Sequence, residues 1–343
     1  MRVITDMMSF CTEKMPKYNT VSISGYHIRE AGSTAAQELA FTLANGFTYV
    51  EYGIKAGLDI DTFAPRLSFF FNSHLDFFEE IAKYRAARRI WSKWMKNKYG
   101  AKNQRSWKLR FHTQTAGCSL TAQQPENNIA RTGFQAMAAV LGGTQSLHTN
   151  SMDETLALPT EKAAEIALRT QQLIAFETGV TNVADPLGGS WYVESLTDQM
   201  EARAEEYFEE IENLGGVISA IEKGYFQREI GRAASEYQKK IDDKQLFHVG
   251  VNAFGNDEEE IDIPILEIGE EAEHQQKEAL KQLRANRNEN AVQKALSEIQ
   301  DACINGNNIM PPIIKAAKVH ATMGEIVTAM KAEFGEWQEA AVF

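Results

Sequence analysis

Three histidines stand beside short apolar segments of the sequence, and they are its first candidates for chemistry. His27 follows one segment, while His112 and His148 each end another. A neutral imidazole donates a hydrogen bond to a carbonyl oxygen, and imidazole is also the commonest protein ligand for metals such as zinc and iron. The pattern therefore predicts either a three-histidine metal site or a set of hydrogen-bond donors that face a carbonyl substrate.

The neighbours of these histidines favour the second interpretation. A metal hydrolase usually needs a carboxylate as a further ligand or as a base, yet no Asp or Glu ends an apolar segment and no His-x-His follows one. Tyr26, Gln114 and Asn150 stand there instead. Hydroxyl and amide groups orient a polar substrate without adding charge, which agrees with donors aimed at a carbonyl. The metal site is kept as the alternative.

The elements that must position these residues form a repeat. Between about residues 19 and 180, a short apolar segment, a polar residue, a loop and an amphipathic helix follow one another several times, which predicts an α/β fold with a parallel sheet. The predicted strands are Thr20–Gly25, Leu67–Phe71, Trp107–His112 and Thr144–His148. Such a set is either half of a (β/α)8 barrel, with its site at the carboxyl ends of the strands, or a small open sheet. No Gly-x-Gly-x-x-Gly follows a strand, which removes the main dinucleotide-binding signal.

The ends of the predicted helices carry their own signals. Thr34 and Gln37 have the spacing of a capping box, and Gly46 is expected just past the end of the helix that they open. Gly142 and Gly143 are expected to stop the helix after the third strand.

The helix after the second strand shows the clearest apolar period. Arg88 interrupts its apolar stripe, and because a buried Arg needs a partner, we expect a structural ion pair there, with a ligand-binding role as the alternative. The stripe itself, at spacings of three, four and seven, consists of Phe77, Ile81, Tyr84, Trp91 and Met95.

Beyond about residue 190 the pattern changes to longer helices. They are predicted at Leu196–Leu214, Glu270–Arg287, Asn290–Asn305 and Pro312–Phe334. Residues 247–271 become β-like and then acidic, and are expected to form a connection. The domain prediction is therefore a β/α unit over residues 1–190 and a helical extension over residues 191–343.

Composition narrows the class of function. The net charge of −12 over 343 residues argues against nucleic acid as a partner, because phosphate binding needs a concentrated basic face. No apolar run approaches the roughly 18 residues that span a bilayer, and the amino terminus lacks a signal-peptide layout, so a cytoplasmic protein without membrane contact is expected. Cys11, Cys118 and Cys303 are odd in number and far apart, which predicts free thiols.

Four motifs in the right order closely resemble the substrate-barrel segments of the methylmalonyl-CoA mutase family. They are Ser22-Ile-Ser-Gly-Tyr-His-Ile-Arg-Glu-Ala-Gly32, Phe63-Ala-Pro-Arg-Leu-Ser-Phe69, His112-Thr-Gln-Thr-Ala-Gly117, and Thr144-Gln-Ser-Leu-His-Thr-Asn-Ser151 with Asp153-Glu154. The resemblance runs almost end to end and includes Asp185–Ser190 and Gly250–Asn252. It implies the carboxyl-terminal half of a (β/α)8 TIM barrel, about four βα units, followed by a helical extension.

The resemblance also implies a reaction and a set of catalytic residues. The reaction is homolysis of the cobalt–carbon bond of adenosylcobalamin (coenzyme B12), hydrogen abstraction by the adenosyl radical, and migration of a thioester group between adjacent carbons. By motif position, His27 would hydrogen-bond the migrating thioester carbonyl, with Tyr26 beside it. Gln114 and His112 would face the acyl group and the adenosyl group. His148 would support the loop on the corrin side.

Binding residues are implied in the same way. The coenzyme A residues would be Lys17, Arg66 and Ser68, where cations suit the phosphates. The corrin would be approached by Gly117, Glu154 and Ala157, and a glycine lets a flat macrocycle come close to the backbone. Cys118 departs from the family, in which many members have tryptophan at this position.

The parts that the resemblance does not supply define the expected partners. The amino-terminal barrel half of the family has no counterpart in this sequence, and no His completes the cobalt-ligating Asp-x-His-x-x-Gly motif, so the cobalt ligand is expected on another chain. A B12-binding small subunit and the missing barrel half are therefore the implied partners in a hetero-oligomer. Methylmalonyl-CoA is the first expected substrate, isobutyryl-CoA and 2-hydroxyisobutyryl-CoA are alternatives, and a noncatalytic remnant or assembly chain is the competing hypothesis.

Overall fold

The computed structural model describes residues 1–256 and 263–339. Its sheet confirms the predicted α/β class, because the strands run parallel and lie side by side in chain order. The strands are β1 (Val21–Ser24), β2 (Leu67–Ser73), β3 (Phe111–Thr115) and β4 (Ser146–His148). In the described part of the chain, β1 and β4 are each paired along one side only.

Helices connect the strands and then continue as the extension. Up to β4 they are α1 (Arg2–Lys14), α2 (Tyr26–Glu30), α3 (Ala35–Lys55), α4 (Ile60–Phe63), α5 (Phe77–Asn97), α6 (Gln104–Trp107) and α7 (Asn127–Leu141). After β4 they are α8 (Glu161–Glu177), α9 (Trp191–Asn213), α10 (Val217–Glu222), α11 (Tyr225–Asp242), α12 (Glu270–Asn286), α13 (Glu289–Asn305), α14 (Met310–Lys318) and α15 (Met323–Phe334). No helix in the described part combines the length and hydropathy of a membrane-spanning segment.

The two faces of the sheet differ in chemistry, since side chains alternate along each strand. Ile23, Leu67, Phe69, Phe71 and Phe111 point to one face, where the helices bury them. We call the other the open face. It carries Ser22, Ser24, Ser68, Phe70, His112, Gln114, Ser146 and His148, all of which are partly or fully exposed.

The core behind the sheet is largely aromatic. Phe47 of α3 stacks on Trp94 of α5 with ring centroids 4.2 Å apart, and Phe208 of α9 meets both rings edge-on. Polar contacts join α5 to α9 around this core, including ion pairs from Arg85 to Glu194 and from Arg89 to Asp198 and Glu201. The extension therefore packs on the β/α unit through α9.

A second, smaller core lies among α13, α14 and α15. It is tied to α1 by the Asp6 carboxylate, which accepts a hydrogen bond from the Ile309 backbone N–H at 3.0 Å and pairs with Arg2. Arg287 fixes the start of this unit through Glu325 at 2.6 Å and Glu289 at 3.0 Å.

Several boundaries correct the sequence predictions. The third strand is Phe111–Thr115 and not Trp107–His112, because Asn103 caps a helical turn that ends at Trp107. The capping box of Thr34 is confirmed, but α3 runs nine residues past Gly46 to Lys55. A Cβ at Gly46 would lie 2.9 Å from the Phe69 ring, so glycine at this position lets α3 pack closely against β2.

Further corrections concern α5 and the extension. The stripe is confirmed, since Ile81, Tyr84, Trp91 and Met95 are buried. The ion pair predicted for Arg88 is wrong: Arg88 donates to the Gly142 carbonyl, an acceptor that the end of α7 leaves free.

The helix predicted over Pro312–Phe334 is two helices, α14 and α15, and α11 was not predicted. Part of the expected acidic connection lies outside the described residues, and α12 begins within its last two residues.

A buried ion triad lies behind the carboxyl end of β2. The Lys83 ammonium of α5 pairs with Glu38 of α3 at 2.6 Å and with Glu80, one turn before it, and all three side chains are fully buried. Asn72 joins the triad to the strand, because its carbonyl accepts from Lys83 at 2.8 Å and its N–H donates to Glu38 at 2.6 Å. Burial is the largest cause that raises the pKa of Glu38, to about 7, so the carboxylate depends on Lys83 for its charge.

Replacing the cation of this triad should be costly. We predict that Lys83→Met lowers the free energy of unfolding by about 3–5 kcal/mol, because the buried carboxylates of Glu38 and Glu80 then lose their ion pairs with Lys83. Urea denaturation measures the effect. The matched control is Lys93→Met on the same helix, whose exposed pair with Glu201 should contribute at most about 1 kcal/mol. Equal effects of the two substitutions would contradict this account of the triad.

Candidate functional site

The turn between β1 and α2 brings two predicted residues to the site. Gly25 ends the strand, and its N–H donates to the Phe70 carbonyl at 2.8 Å. A Cβ at Gly25 would lie 2.0 Å from the Thr42 hydroxyl oxygen, so only glycine fits here. Because α2 starts at the next residue, Tyr26 and His27 stand at the carboxyl end of β1.

Tyr26 belongs to a hydrogen-bonded row across the strand ends. Its ring stacks on Phe70 with centroids 5.1 Å apart, and its hydroxyl accepts from the Gln114 amide at 2.9 Å. The same amide donates to Asn150 at 2.9 Å, and Asn150 is in turn held by Thr115. Burial raises the pKa of Tyr26 above its ordinary value, so the phenol stays protonated and its O–H is available as a donor.

The three histidines occupy different places on this face. His27 is exposed, and its ring makes no hydrogen bond within the described part of the chain. His112 is the second residue of β3 rather than its end; its Nδ1 lies 2.7 Å from the Ser146 hydroxyl and its ring meets Phe70 edge-on at 4.7 Å. His148 ends β4. Burial lowers the pKa of each imidazole, so all three are neutral near pH 7.

No metal site is formed by these residues. Among the described residues, no group of three or more His, Cys, Asp or Glu side chains could hold a metal ion. His112 is instead engaged by a serine hydroxyl, and His27 is open to a ligand. The interpretation of these histidines as hydrogen-bond donors to a substrate stays a prediction.

Although no Asp or Glu ends a strand, one carboxylate lies beside the strand ends. Glu30, the last residue of α2, accepts hydrogen bonds from the backbone N–H groups of Gly117 at 2.9 Å and Cys118 at 2.8 Å, and from the Asn72 amide at 2.6 Å. It thereby fixes the turn after β3 to the end of β2. Sequence reasoning did not single out Glu30, although a carboxylate in a short helix directly after a strand is the signal that could have found it.

The residues predicted to approach a corrin form a neighbouring rim. A Cβ at Gly117 would lie 3.1 Å from the Asn150 amide nitrogen and 3.3 Å from Glu30, with Glu154 next at 3.7 Å. Crowding inside the protein is therefore one reason for glycine at this position. Glu154 is exposed, and Ala157 follows one turn later, where its N–H donates to the Asp153 carbonyl at 3.1 Å.

The residues predicted to hold coenzyme A lie at the opposite end of the sheet. Lys17 precedes β1 and Arg66 precedes β2, and the Arg66 guanidinium donates to the Lys17 carbonyl at 3.4 Å. Ser68 lies on the open face and donates to the Val21 carbonyl at 3.1 Å. Arg66 and Asn72 are six positions apart in the sequence, which at about 3.3 Å per residue puts the two ends of the site roughly 20 Å apart.

Fold and site together define a parallel β/α protein that presents a long, mostly polar face on one side of its sheet. Cationic groups stand at one end of this face, and neutral donors stand at the other. The model for methylmalonyl-CoA mutase matches residues 1–336, which is nearly the whole chain. The chain belongs to the methylmalonyl-CoA mutase family.

Individual relatives agree with this assignment. The chain is 47% identical over 343 residues to the 2-hydroxyisobutanoyl-CoA mutase large subunit of Aquincola tertiaricarbonis, covering 100% of this chain and 61% of that protein. It is 48% identical over 341 residues to the methylmalonyl-CoA mutase large subunit of Porphyromonas gingivalis, covering 98% and 47%. For methylmalonyl-CoA mutase of Escherichia coli the identity is 44% over 338 residues, covering 98% and 47%. The chain thus spans about half the length of these relatives.

The carboxylate of Glu30 should control the order of the turn after β3. We predict that Glu30→Gln speeds hydrogen exchange at the Gly117 and Cys118 amides at least about tenfold, because an amide side chain cannot accept from both N–H groups and Asn72 at once. Exchange mass spectrometry of a peptide over residues 116–120 measures this. The control is Glu161→Gln in the exposed first turn of α8. Unchanged exchange in Glu30→Gln would show that Glu30 does not hold the turn.

Proposed function

We propose that this chain is a component of an adenosylcobalamin-dependent acyl-CoA mutase, an isomerase that rearranges the carbon skeleton of its substrate. The observation that carries the proposal is the open face, which is polar except for Phe70 and has cations at one end and neutral donors at the other. A barrel built only for stability fills this side of its strands with branched apolar residues. Serines, His112 and Gln114 in their place favour a bound ligand that runs along the strands.

The amino end of the sheet is proposed to bind the nucleotide part of coenzyme A. Lys17 and Arg66 supply cationic groups for its phosphates, and Ser68 lies just beyond them on the open face. The extended arm of coenzyme A then bridges the roughly 20 Å to the other end. Family membership and the motif at Phe63–Phe69 support this direction of binding.

The carboxyl end is proposed to hold the thioester. His27 is neutral and open, so its ring N–H donates to the thioester carbonyl where charge or spin develops during migration. Tyr26 is held beside it by Phe70 and Gln114, which fixes its hydroxyl toward the acyl group. His112 and Gln114 on β3 face the reacting acyl group and the adenosyl group.

The rim at Gly117 fits a flat macrocycle. Gly117 has no side chain and Ala157 presents only a methyl group, so few side-chain atoms project toward the side that a corrin would approach. Glu154 is exposed beside them. Adenosylcobalamin, when bound, supplies homolysis of its cobalt–carbon bond. This chain contributes the surface that Glu30 and Asn150 hold in place, together with the neutral donors described above. The cobalt ligand is proposed to come from a separate B12-binding subunit.

Other features support the proposed partners. Within the described residues, β1 and β4 have one unpaired edge each, which suits completion of a (β/α)8 barrel by an amino-terminal half. The helix after β4 leaves Leu173 and Phe176 exposed, at 49% and 84%. Residues 1–190 are proposed to be the barrel half, and residues 191–343 its helical extension.

Methylmalonyl-CoA is proposed as the first substrate to test, with succinyl-CoA as its product. A second candidate is 2-hydroxyisobutanoyl-CoA, because the relative of that name matches the full length of this chain at 47% identity. Isobutyryl-CoA is the third substrate to test. The cations of the amino end serve all of these substrates equally, since they share coenzyme A.

Reconstitution tests the proposal. The chain is combined with an amino-terminal barrel half from a family member, a B12-binding subunit and adenosylcobalamin, and each acyl-CoA is followed by mass spectrometry. We predict turnover of at least one substrate by the assembly and none by the chain alone. In that assembly His27→Ala should lower kcat about 10²-fold or more, because it removes a donor to the developing charge.

The control is His274→Ala, an exposed position on α12, which should leave kcat unchanged. No conversion of any of the three substrates by an assembly that forms and binds cofactor would contradict an enzymatic role. That outcome would favour the noncatalytic assembly chain instead.

A further inference from the structure

A cavity of about 490 Å³ lies beside the carboxyl ends of β2 and β3, apart from the open face. Its walls come from α2, the turn after β3, α11 and the segment around residue 248, and none of the residues assigned above to thioester or coenzyme A binding lines it. Glu30 and Cys118 belong both to this cavity and to the turn that carries Gly117. We call it the His74 cavity.

His74 is a polar group of this cavity that has no hydrogen-bond partner among the described residues. The side chain directly follows β2, is only 8% exposed, and lines the cavity, yet its ring makes no hydrogen bond within the described part of the chain. Tyr237 and His248 on the facing wall satisfy each other at 3.0 Å. Burial, then the charges of Arg29 and Lys83 and the nearby His248, lower the pKa of His74 well below its ordinary value. A neutral imidazole offers one donor and one acceptor, and in His74 both are left for a ligand of the cavity.

The wall around His74 offers no unmatched charge. The Glu30 carboxylate is taken up by the two N–H groups of the turn and by Asn72. The Arg29 guanidinium lies 4.0 Å from Glu80, and its Nε is buried without a hydrogen-bond partner. This Nε has no contact with solvent, and the guanidinium also donates to the Ser33 carbonyl. What is left for a ligand is therefore neutral donors and acceptors. A primary carboxamide, which has one carbonyl oxygen and two N–H groups, matches this set.

We infer that the His74 cavity receives a carboxamide side chain from the rim of the corrin, hydrogen-bonded by His74. The inference rests on the proposed function, which puts the macrocycle on Gly117. A cobalamin corrin bears primary carboxamides around its edge, and Cys118, the residue after Gly117, leads from that surface into the cavity. Cys118 is exposed and lines the cavity.

Cobalamin binding tests this site without using turnover. The probes are hydroxocobalamin and its monocarboxylic acids, in each of which one carboxamide is replaced by a carboxylate. Dissociation constants are measured by equilibrium dialysis on the reconstituted assembly. We predict that His74→Phe weakens hydroxocobalamin binding about tenfold. We also predict that one monocarboxylic acid binds to the wild-type protein about tenfold more weakly than hydroxocobalamin does. In His74→Phe this difference between the acid and hydroxocobalamin should disappear.

Two further variants keep the outcome decisive. His74→Gln retains a donor and an acceptor, so its dissociation constant for hydroxocobalamin should lie within about twofold of the wild-type value. The control is His320→Phe, at an exposed position before α15, whose dissociation constant should also lie within about twofold of wild type. Binding by His74→Phe within twofold of wild type, or an equal penalty for every acid in both proteins, would overturn the inference and leave the proposed function standing. Failure of the wild-type assembly to bind hydroxocobalamin would overturn the proposed function itself.

Discussion

The fold of this chain depends on one buried cation. Lys83 lies behind the sheet with no exposure to water, between the carboxylates of Glu38 and Glu80. Each of these charged groups would be strongly unfavourable alone in the core, so the two helices that carry them, α3 and α5, must meet in one arrangement. Asn72 adds the strand to this arrangement, because both its backbone polar groups bond to the triad. The position of the end of β2 is set in this way.

The side chain of Asn72 connects the buried triad to the site. Its side-chain amide donates to Glu30, and Glu30 holds the two backbone N–H groups at Gly117 and Cys118. A continuous path of hydrogen bonds therefore runs from a fully buried ion triad to the surface proposed to take the corrin. The open face can be polar and accessible because its order comes from behind the sheet, where burial makes each charged hydrogen bond strong.

The predictable parts of the fold are those with local signals. The βα order, the capping box at Thr34 and the apolar stripe of α5 follow from spacing alone, and all are found. Three features escaped because their causes are distant in sequence. Gly46 looked like a helix end, but it makes room for Phe69 on a strand; Arg88 looked like half of an ion pair, but it binds a carbonyl on another helix. Glu30 was hidden because its partners come from two other strands.

The coupling between triad and turn can be measured directly by a double-mutant cycle of Lys83→Met and Glu30→Gln, with urea denaturation of wild type, both single variants and the double variant. Because Asn72 bonds to both groups, the account predicts an interaction free energy of about 1 kcal/mol or more, with the double variant less destabilised than the sum of the single ones. Effects that add within about 0.5 kcal/mol would mean that the buried triad and the site are independent, which would contradict the central claim.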